Sequence, residues 1–244
     1  MNAVMTIARR ELRSYFATPV AYVFIIIFLV MAGWATFYVG RFYERGQADL
    51  VPFFSFLPWL YLFLIPPLAM RLWAEERRSG SIELLMTLPV TLPQAVLGKF
   101  VAAWVFTTIA LVLTFPLWIT VNYLGDPDNG VIVASYLGGI LMAGGFLAIG
   151  SALSALTRNQ VIAFILTIVT CFVFLLIGYE IVLSVLSGVL PQPLVDAIAS
   201  LSFNTHFQSI VKGVIDLRDF VYFLLLIGFF LLANAIILDM KKAS

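Results

Sequence analysis

The chain has 244 residues, of which 62% are hydrophobic and 11% charged, where soluble domains run at roughly 45–50% and about 25%. A water-soluble globule of this length has no interior large enough for so much apolar surface, so the composition points to an integral membrane protein. The 14 basic and 13 acidic residues leave a formal charge of +1, which offers no field for holding nucleic acid. One Cys and one His cannot build a structural zinc site or an intrachain disulfide. Cys171 lies inside an apolar run and reads as a small packing residue.

The first element is amphipathic. Met5, Ala8, Leu12, Tyr15 and Phe16 recur at helical spacing while Arg9, Arg10 and Arg13 point elsewhere. That pattern predicts a helix over residues 1–17 lying in the membrane interface. Its arginines either anchor topology among lipid phosphates or make an elbow that senses a cytoplasmic partner. Thr18-Pro19 then offers an N-cap and a helix-starting proline for the first span.

Six stretches approach the ~20 apolar residues needed to cross ~30 Å of hydrocarbon, over about 19–40, 51–72, 98–122, 131–156, 160–183 and 220–238. The first is too long for a signal-peptide core and no small-residue cleavage site follows it. Continuous runs of this length exclude barrel strands, and irregular backbone cannot face lipid, so the expected fold class is all-α integral membrane within a single domain, 1–244. Arg9, Arg10, Arg13, Arg71, Arg77, Arg78, Lys99, Arg158, Lys241 and Lys242 fall on one set of loops. Only Arg41, Arg45, Lys212 and Arg218 fall on the other. Positive flanks stay inside, which predicts cytoplasmic termini in a bacterial inner membrane.

The loop from Trp73 to Gly98 is the most informative segment. Glu75, Glu76, Arg77 and Arg78 form a cluster of both signs before a Ser79-Gly80-Ser81 break. Ser81 can cap a short helix from Ile82, with Glu83 where the dipole favours a carboxylate. Pro89 ends that helix near Leu88, and Thr91-Leu92-Pro93-Gln94 is a capping-box start for the third span. The two-turn helix over 82–88 carries Leu84, Leu85 and Met86. Apolar anchors beside charges suit a docking knob for a soluble partner; the other reading is an interfacial helix resting on lipid. Upstream, Pro66-Pro67 is expected to interrupt the second span as a hinge.

Farther along, Gly144, Ala148 and Ala152 form a small-residue stripe for intramolecular packing or a subunit interface. Asn159 can cap the fifth span. Glu180, near the outer end of that span, either snorkels or serves substrate or gate. Between 184 and 219, Pro191 and Pro193 break an apolar segment into two half-helices that dip back from the outer face. His206 reads as a polar anchor or gate residue, with no Cys, Ser-base geometry or acidic pair near it in sequence to suggest chemistry.

So arranged, the chain resembles the type 2 ABC transporter permeases along nearly its whole length. The residues that carry the resemblance are Glu76-Arg77-Arg78-Ser79-Gly80-Ser81-Ile82-Glu83-Leu84-Leu85 with Pro89, and the Leu156-Thr157-Arg158-Asn159-Gln160 turn. His206-Phe207 and Lys212-Gly213-Val214-Ile215-Asp216 are most similar to gliding-motility-type (GldF-like) and nitrous-oxide-maturation-type (NosY-like) permeases. The resemblance implies six spans, an interfacial helix, a coupling helix at about 82–88 and two outer re-entrant helices. It also implies pairing with a second permease, homomeric or heteromeric, and with two copies of an ATP-binding subunit that bind ATP and Mg themselves. Membrane lipid and a periplasmic accessory subunit complete the expected partners. No cofactor, metal or ATPase motif is expected here: Gly98-Lys99 precedes Phe100, and Pro93 stands where a Walker A loop needs glycine. A membrane-embedded enzyme would lack paired carboxylates or a Ser/His set to work with. The expected function is export of an amphiphilic or lipid-like cargo; the alternative is ATP-driven mechanotransmission to an outer partner without solute crossing.

Overall fold

The computed structural model describes residues 3–80, 90–214 and 216–241. Among them all regular structure is helical: α1 (Ala3–Phe16), α2 (Pro19–Trp34) continuing through a π-helical turn (Ala35–Val39), α3 (Val51–Ala69), α4 (Ala74–Ser79), α5 (Leu92–Val112), α6 (Phe115–Leu124), α7 (Asn129–Leu156), α8 (Gln160–Leu176), α9 (Glu180–Ser187), α10 (Gln192–Ala199), α11 (Phe203–Val211) and α12 (Leu217–Met240). Five stretches of these described residues are long and apolar enough to cross a membrane, and α8 with α9 makes a sixth if that pair, bent by 76°, counts as one span. The protein is an all-α, multi-pass membrane protein.

The bundle is built around α7, which packs on α3, α4, α5, α8, α11 and α12. In lipid the hydrophobic effect gives helices no reason to prefer one another, so close backbone approach must supply the attraction. Small residues on α7 permit it. A Cβ at Gly144 would sit 2.7 Å from Ile227 Cδ1 and 3.1 Å from Trp104 Nε1, and the space left open lets the Trp104 indole N–H donate to the Ile140 carbonyl at 2.7 Å. Gly144, Ala148 and Ala152 are all buried within the chain, so the stripe serves intramolecular packing. At Gly150 a Cβ would overlap Ala69 Cβ and lie 2.9 Å from Thr167 Cγ2. Gly150→Ala is expected to destabilise the bundle by about 2 kcal/mol through overpacking, measured as unfolding in mixed micelles; a stability equal to that of the unmodified protein would show that α3 and α8 are free to separate there.

Helix ends depart from the sequence reading where tertiary contacts intervene. Pro66 and Pro67 do not interrupt α3, which continues to Ala69 with the Met70 N–H donating to the Pro66 carbonyl. The chain turns only at 70–73, where a hydroxyl from α7 captures its backbone groups. The third transmembrane stretch begins at Leu92, with the Thr91 N–H donating to Gln94 Oε1 at 3.1 Å, and it breaks at 113–114 ahead of Pro116. The fifth ends at Leu176 rather than 183. Ser202 and Thr205 crowd Gly178 from the start of α11, leaving no room for a Cβ. Beyond that point three short helices, α9 to α11, stand where two half-helices were expected. Thr18 makes no capping bond to α2; its hydroxyl donates to the Tyr15 carbonyl at 3.0 Å. Asn159 does cap α8, its Oδ1 accepting the Val161 N–H at 2.9 Å.

Candidate functional site

The end of the bundle that carries Arg9, Arg77, Lys99, Arg158 and Lys241 (the basic end) is formed by α1, α4, the start of α5 and the ends of α7 and α12. Here α1 lies directly on α5. A Cβ at Gly98 would come within 2.7 Å of Ile7 Cβ and 3.1 Å of the Val4 carbonyl oxygen. Ile7 and Ala8 are accordingly buried, while Met5 faces outward.

That contact covers the next residue, Lys99, which is only 4% exposed. A buried ammonium costs several kcal/mol unless opposite charge surrounds it. Glu76 Oε1 from α4 stands 2.7 Å from Lys99 Nζ, and Glu11 Oε1 from α1 stands 3.6 Å away. The Trp73 ring lies 5.3 Å from the ammonium as a cation–π partner. Arg10 balances the second carboxylate, reaching Glu11 at 2.9 Å. Tyr15, beside this cluster, has its phenol pushed well up by burial first and the Glu11 carboxylate next, so its hydroxyl stays protonated. One buried cation thus ties together three segments that are far apart in sequence.

A second set of bonds fastens α4 to α7. Trp73 is fully buried, and its indole N–H donates to Ser151 Oγ at 3.2 Å. The backbone N–H groups of Trp73 and Ala74 both donate to Ser154 Oγ, at 3.2 and 3.0 Å. The Ser154 hydroxyl itself donates to the Met70 carbonyl at 2.9 Å. Ser151 also accepts from Asn234 Nδ2 of α12 at 2.6 Å, and the Arg77 guanidinium donates to the Ala155 carbonyl. In this way α7 supplies the backbone partners that the turn at 70–73 lacks.

Helix α4 ends at Gly80 in the left-handed region, with φ of +73°, where glycine is favoured. The residues that follow, Ser81, Ile82, Glu83, Leu84, Leu85 and Met86, lie outside the described residues, as does the rest of the expected coupling helix. Of the other expected site residues, Glu76 and Arg77 enter the junction, and Arg78 is exposed on α4. Arg9, Arg10 and Arg13 line the exposed face of α1. Pro66 is buried and Pro67 half-buried within α3.

Glu180 and His206 sit at the opposite end. Glu180 is exposed in the first turn of α9, beyond the 76° bend that separates α9 from α8. His206 meets one carboxylate from the next helix: Nδ1 is 2.6 Å from Asp219 Oδ1, and Nε2 is 2.9 Å from the Ser200 carbonyl oxygen. Its ring stacks on Tyr222 with centroids 4.0 Å apart. The last helix starts at Leu217 rather than 220, which makes Asp219 a buried first-turn residue. These contacts clasp α11 to α12.

Sequence reasoning missed Lys99, Glu11, Trp73, Ser151, Ser154 and Asn234 as members of the junction. A signal existed for Lys99, a lone cation at the head of an apolar stretch, and for Ser151 and Ser154, a polar pair on one face of a Gly- and Ala-rich helix.

A search of curated proteins finds no match. Residues 5–238 match the family described as ABC-2 family transporter protein, a span that runs from α1, through the Lys99 junction, into the last turn of α12. With nearly its whole length covered, the chain belongs to the ABC-2 transporter family and is a type 2 ABC permease.

Proposed function

We propose that this permease couples to a separate ATP-binding subunit through residues 81–89 and, paired with a second permease, exports an amphiphilic or lipid-like cargo. The single observation that supports coupling is the Glu76–Lys99–Glu11 cluster. Residues 81–89 run from α4 into α5, and α4 is joined at Glu76 to α5 and α1 and at Trp73 and Ala74 to α7. Buried hydrogen-bonded groups of this kind resist shear, so α4 moves with the spans rather than sliding past them. Two ATP-binding subunits, one under each permease, would perform the hydrolysis. Both termini and the basic end would face the cytoplasm, in line with the distribution of Lys and Arg.

An apolar cargo follows from the poverty of charge in the spans: α2, α3, α6, α7 and α8 contain no Asp, Glu, Lys or Arg. Mechanotransmission to an outer partner draws support from a different observation. Helix α9 buries none of its residues, and Ile181 and Val189 at the outer end are 79% and 82% exposed. Substrate-dependent flux in vesicles decides for export; hydrolysis coupled to rearrangement of an outer partner, without flux, decides for transmission.

The coupling segment is tested by Glu83→Lys and Leu85→Asp. Each is expected to abolish copurification with the ATP-binding subunit while membrane insertion stays intact, since loss of a buried interface anchor costs about 2 kcal/mol or more. Normal complex formation and normal stimulation of hydrolysis in both variants would remove 81–89 from the interface.

A further inference from the structure

We propose that the His206–Asp219 pair is a proton-controlled latch: it fastens the exit of the α9–α10 hairpin while it holds one proton and releases it when that proton leaves. Helices α9 and α10 pack chiefly on one another, and between them they bury a single residue, Val195. At the entry, the Trp59 indole N–H donates to the Tyr179 hydroxyl at 3.2 Å, and Ser202 and Thr205 crowd Gly178. At the exit, two consecutive carbonyls are caught. His206 Nε2 lies 2.9 Å from the Ser200 oxygen, and the Tyr222 hydroxyl donates to the Leu201 carbonyl at 2.6 Å. His206 is tied in turn to α12 through Asp219.

The geometry fixes the number of protons. A backbone carbonyl only accepts, so the Nε2 contact requires hydrogen on Nε2. A neutral imidazole then presents a bare lone pair at Nδ1, which cannot face an ionised carboxylate oxygen at 2.6 Å. One further proton must lie between the two groups. Free imidazole titrates near ~6.5 and a free Asp carboxyl near ~3.9, so that proton belongs to Nδ1 and both ring nitrogens donate. Asp219 depends on it. Its Oδ2 is buried without a hydrogen-bond partner among the described residues, so losing the shared proton strands a buried charge.

Neighbouring charges offer no substitute. Helices α3, α7 and α8 pack on α11 and contain no Asp, Glu, Lys, Arg or His; their titratable side chains are Tyr61, Tyr136 and Cys171. Lys99 of α5 is held in the junction at the basic end. On α12, Asp216 caps the helix by accepting the Arg218 N–H at 2.9 Å, and Tyr222 stacks on the His206 ring. Asp196 of α10 accepts from Gln192 at 3.0 Å, and Glu180 and Lys212 are exposed. Among the described residues, His206 and Asp219 form an ion pair only with each other. The closed latch therefore binds one proton where the open one, above the range of a free imidazole, binds none. Rising pH favours opening, by about tenfold per pH unit.

The test is hydrogen exchange of the full chain in mixed micelles over a pH series, with NMR of isotope-labelled histidine, a single ring because the chain has one His. At about pH 7.5, roughly one unit above the midpoint of a free imidazole, both ring nitrogens should still carry hydrogen. Above ~6.5, protection of residues 198–211, corrected for intrinsic exchange, should fall about tenfold per pH unit while the centre of α7 stays level. In Asp219→Asn the amide can donate to Nδ1, so the ring should be neutral and the slope lost. His206→Gln should lose the slope as well. A ring with one N–H in the unmodified protein at that pH, a flat exchange profile, or a slope that survives His206→Gln would overturn the proposal. So would an equal slope in α7, which would mean general loosening. The ring signal and the exchange slope are read on the unmodified chain, so they decide the matter even where a variant fails to fold.

Discussion

Replacing Lys99 with Met is expected to lower the unfolding free energy by about 3 kcal/mol, the lower end of what removing one partner from a buried ion pair costs. The lower end applies because the Glu76 and Glu11 side chains keep 20% and 17% of their exposure, so water can solvate the abandoned carboxylates in part. The variant leaves two acidic groups facing one another where an ammonium had stood between them. Adding Glu76→Gln to Lys99→Met should restore at least about 1 kcal/mol, since the second change removes one of the two like charges that Lys99 had separated. Unfolding in mixed micelles measures both variants. Strictly additive losses in the double variant would mean that the two residues do not interact, and the link between α4 and α5 would have to be sought elsewhere. Under the proposed coupling role of 81–89, coupling should fall with stability, because α4 no longer moves together with α5.

Ser154→Ala is expected to cost a further independent ~3 kcal/mol, from backbone groups left without partners at about 1–3 kcal/mol each. One hydroxyl satisfies the Trp73 and Ala74 N–H groups and the Met70 carbonyl at once, and Ser154 is fully buried. The readout is local. Hydrogen exchange over residues 70–80 should accelerate strongly while α12 stays protected. Ser184→Ala is the control, because its hydroxyl meets only the Ile181 carbonyl on an exposed helix and should stay within about 0.5 kcal/mol. Unchanged exchange at Trp73 and Ala74 in Ser154→Ala would show that the turn stands without α7.

The bundle was largely readable from composition because long uncharged runs admit few structures other than helices. What escaped were the places where one helix edits another. The Pro66-Pro67 pair looked like the break in α3, yet the chain turns four residues later because Ser154 waits there for the Met70 carbonyl. The fifth transmembrane stretch looked apolar to Leu183, yet it stops where Ser202 and Thr205 meet Gly178. No local pattern around Gly178 announces residues more than twenty positions ahead. The candidate site divides in the same way. Glu76 and Arg77 were visible as a charged cluster beside a glycine break, and the 82–88 segment through its resemblance to a family. Lys99 was read only as a topological marker, since its partners Glu11 and Glu76 lie beyond any sequence window. His206 fell to the same limit, because the acid that meets it belongs to the next helix.

The central place of α7 bears on how the protein is made. Synthesis delivers α1 through α6 before the first residue of α7 has left the ribosome, so the Trp73 and Ala74 amides lack their Ser154 acceptor, and the Trp73 indole its Ser151 acceptor, until α7 emerges. The α1–α5 contact and the Glu11–Lys99–Glu76 cluster lie wholly within these early segments, whereas the turn at 70–73 must wait for α7. Assembly at the basic end is thus staged, the buried cation first and the α7 hydroxyls after it.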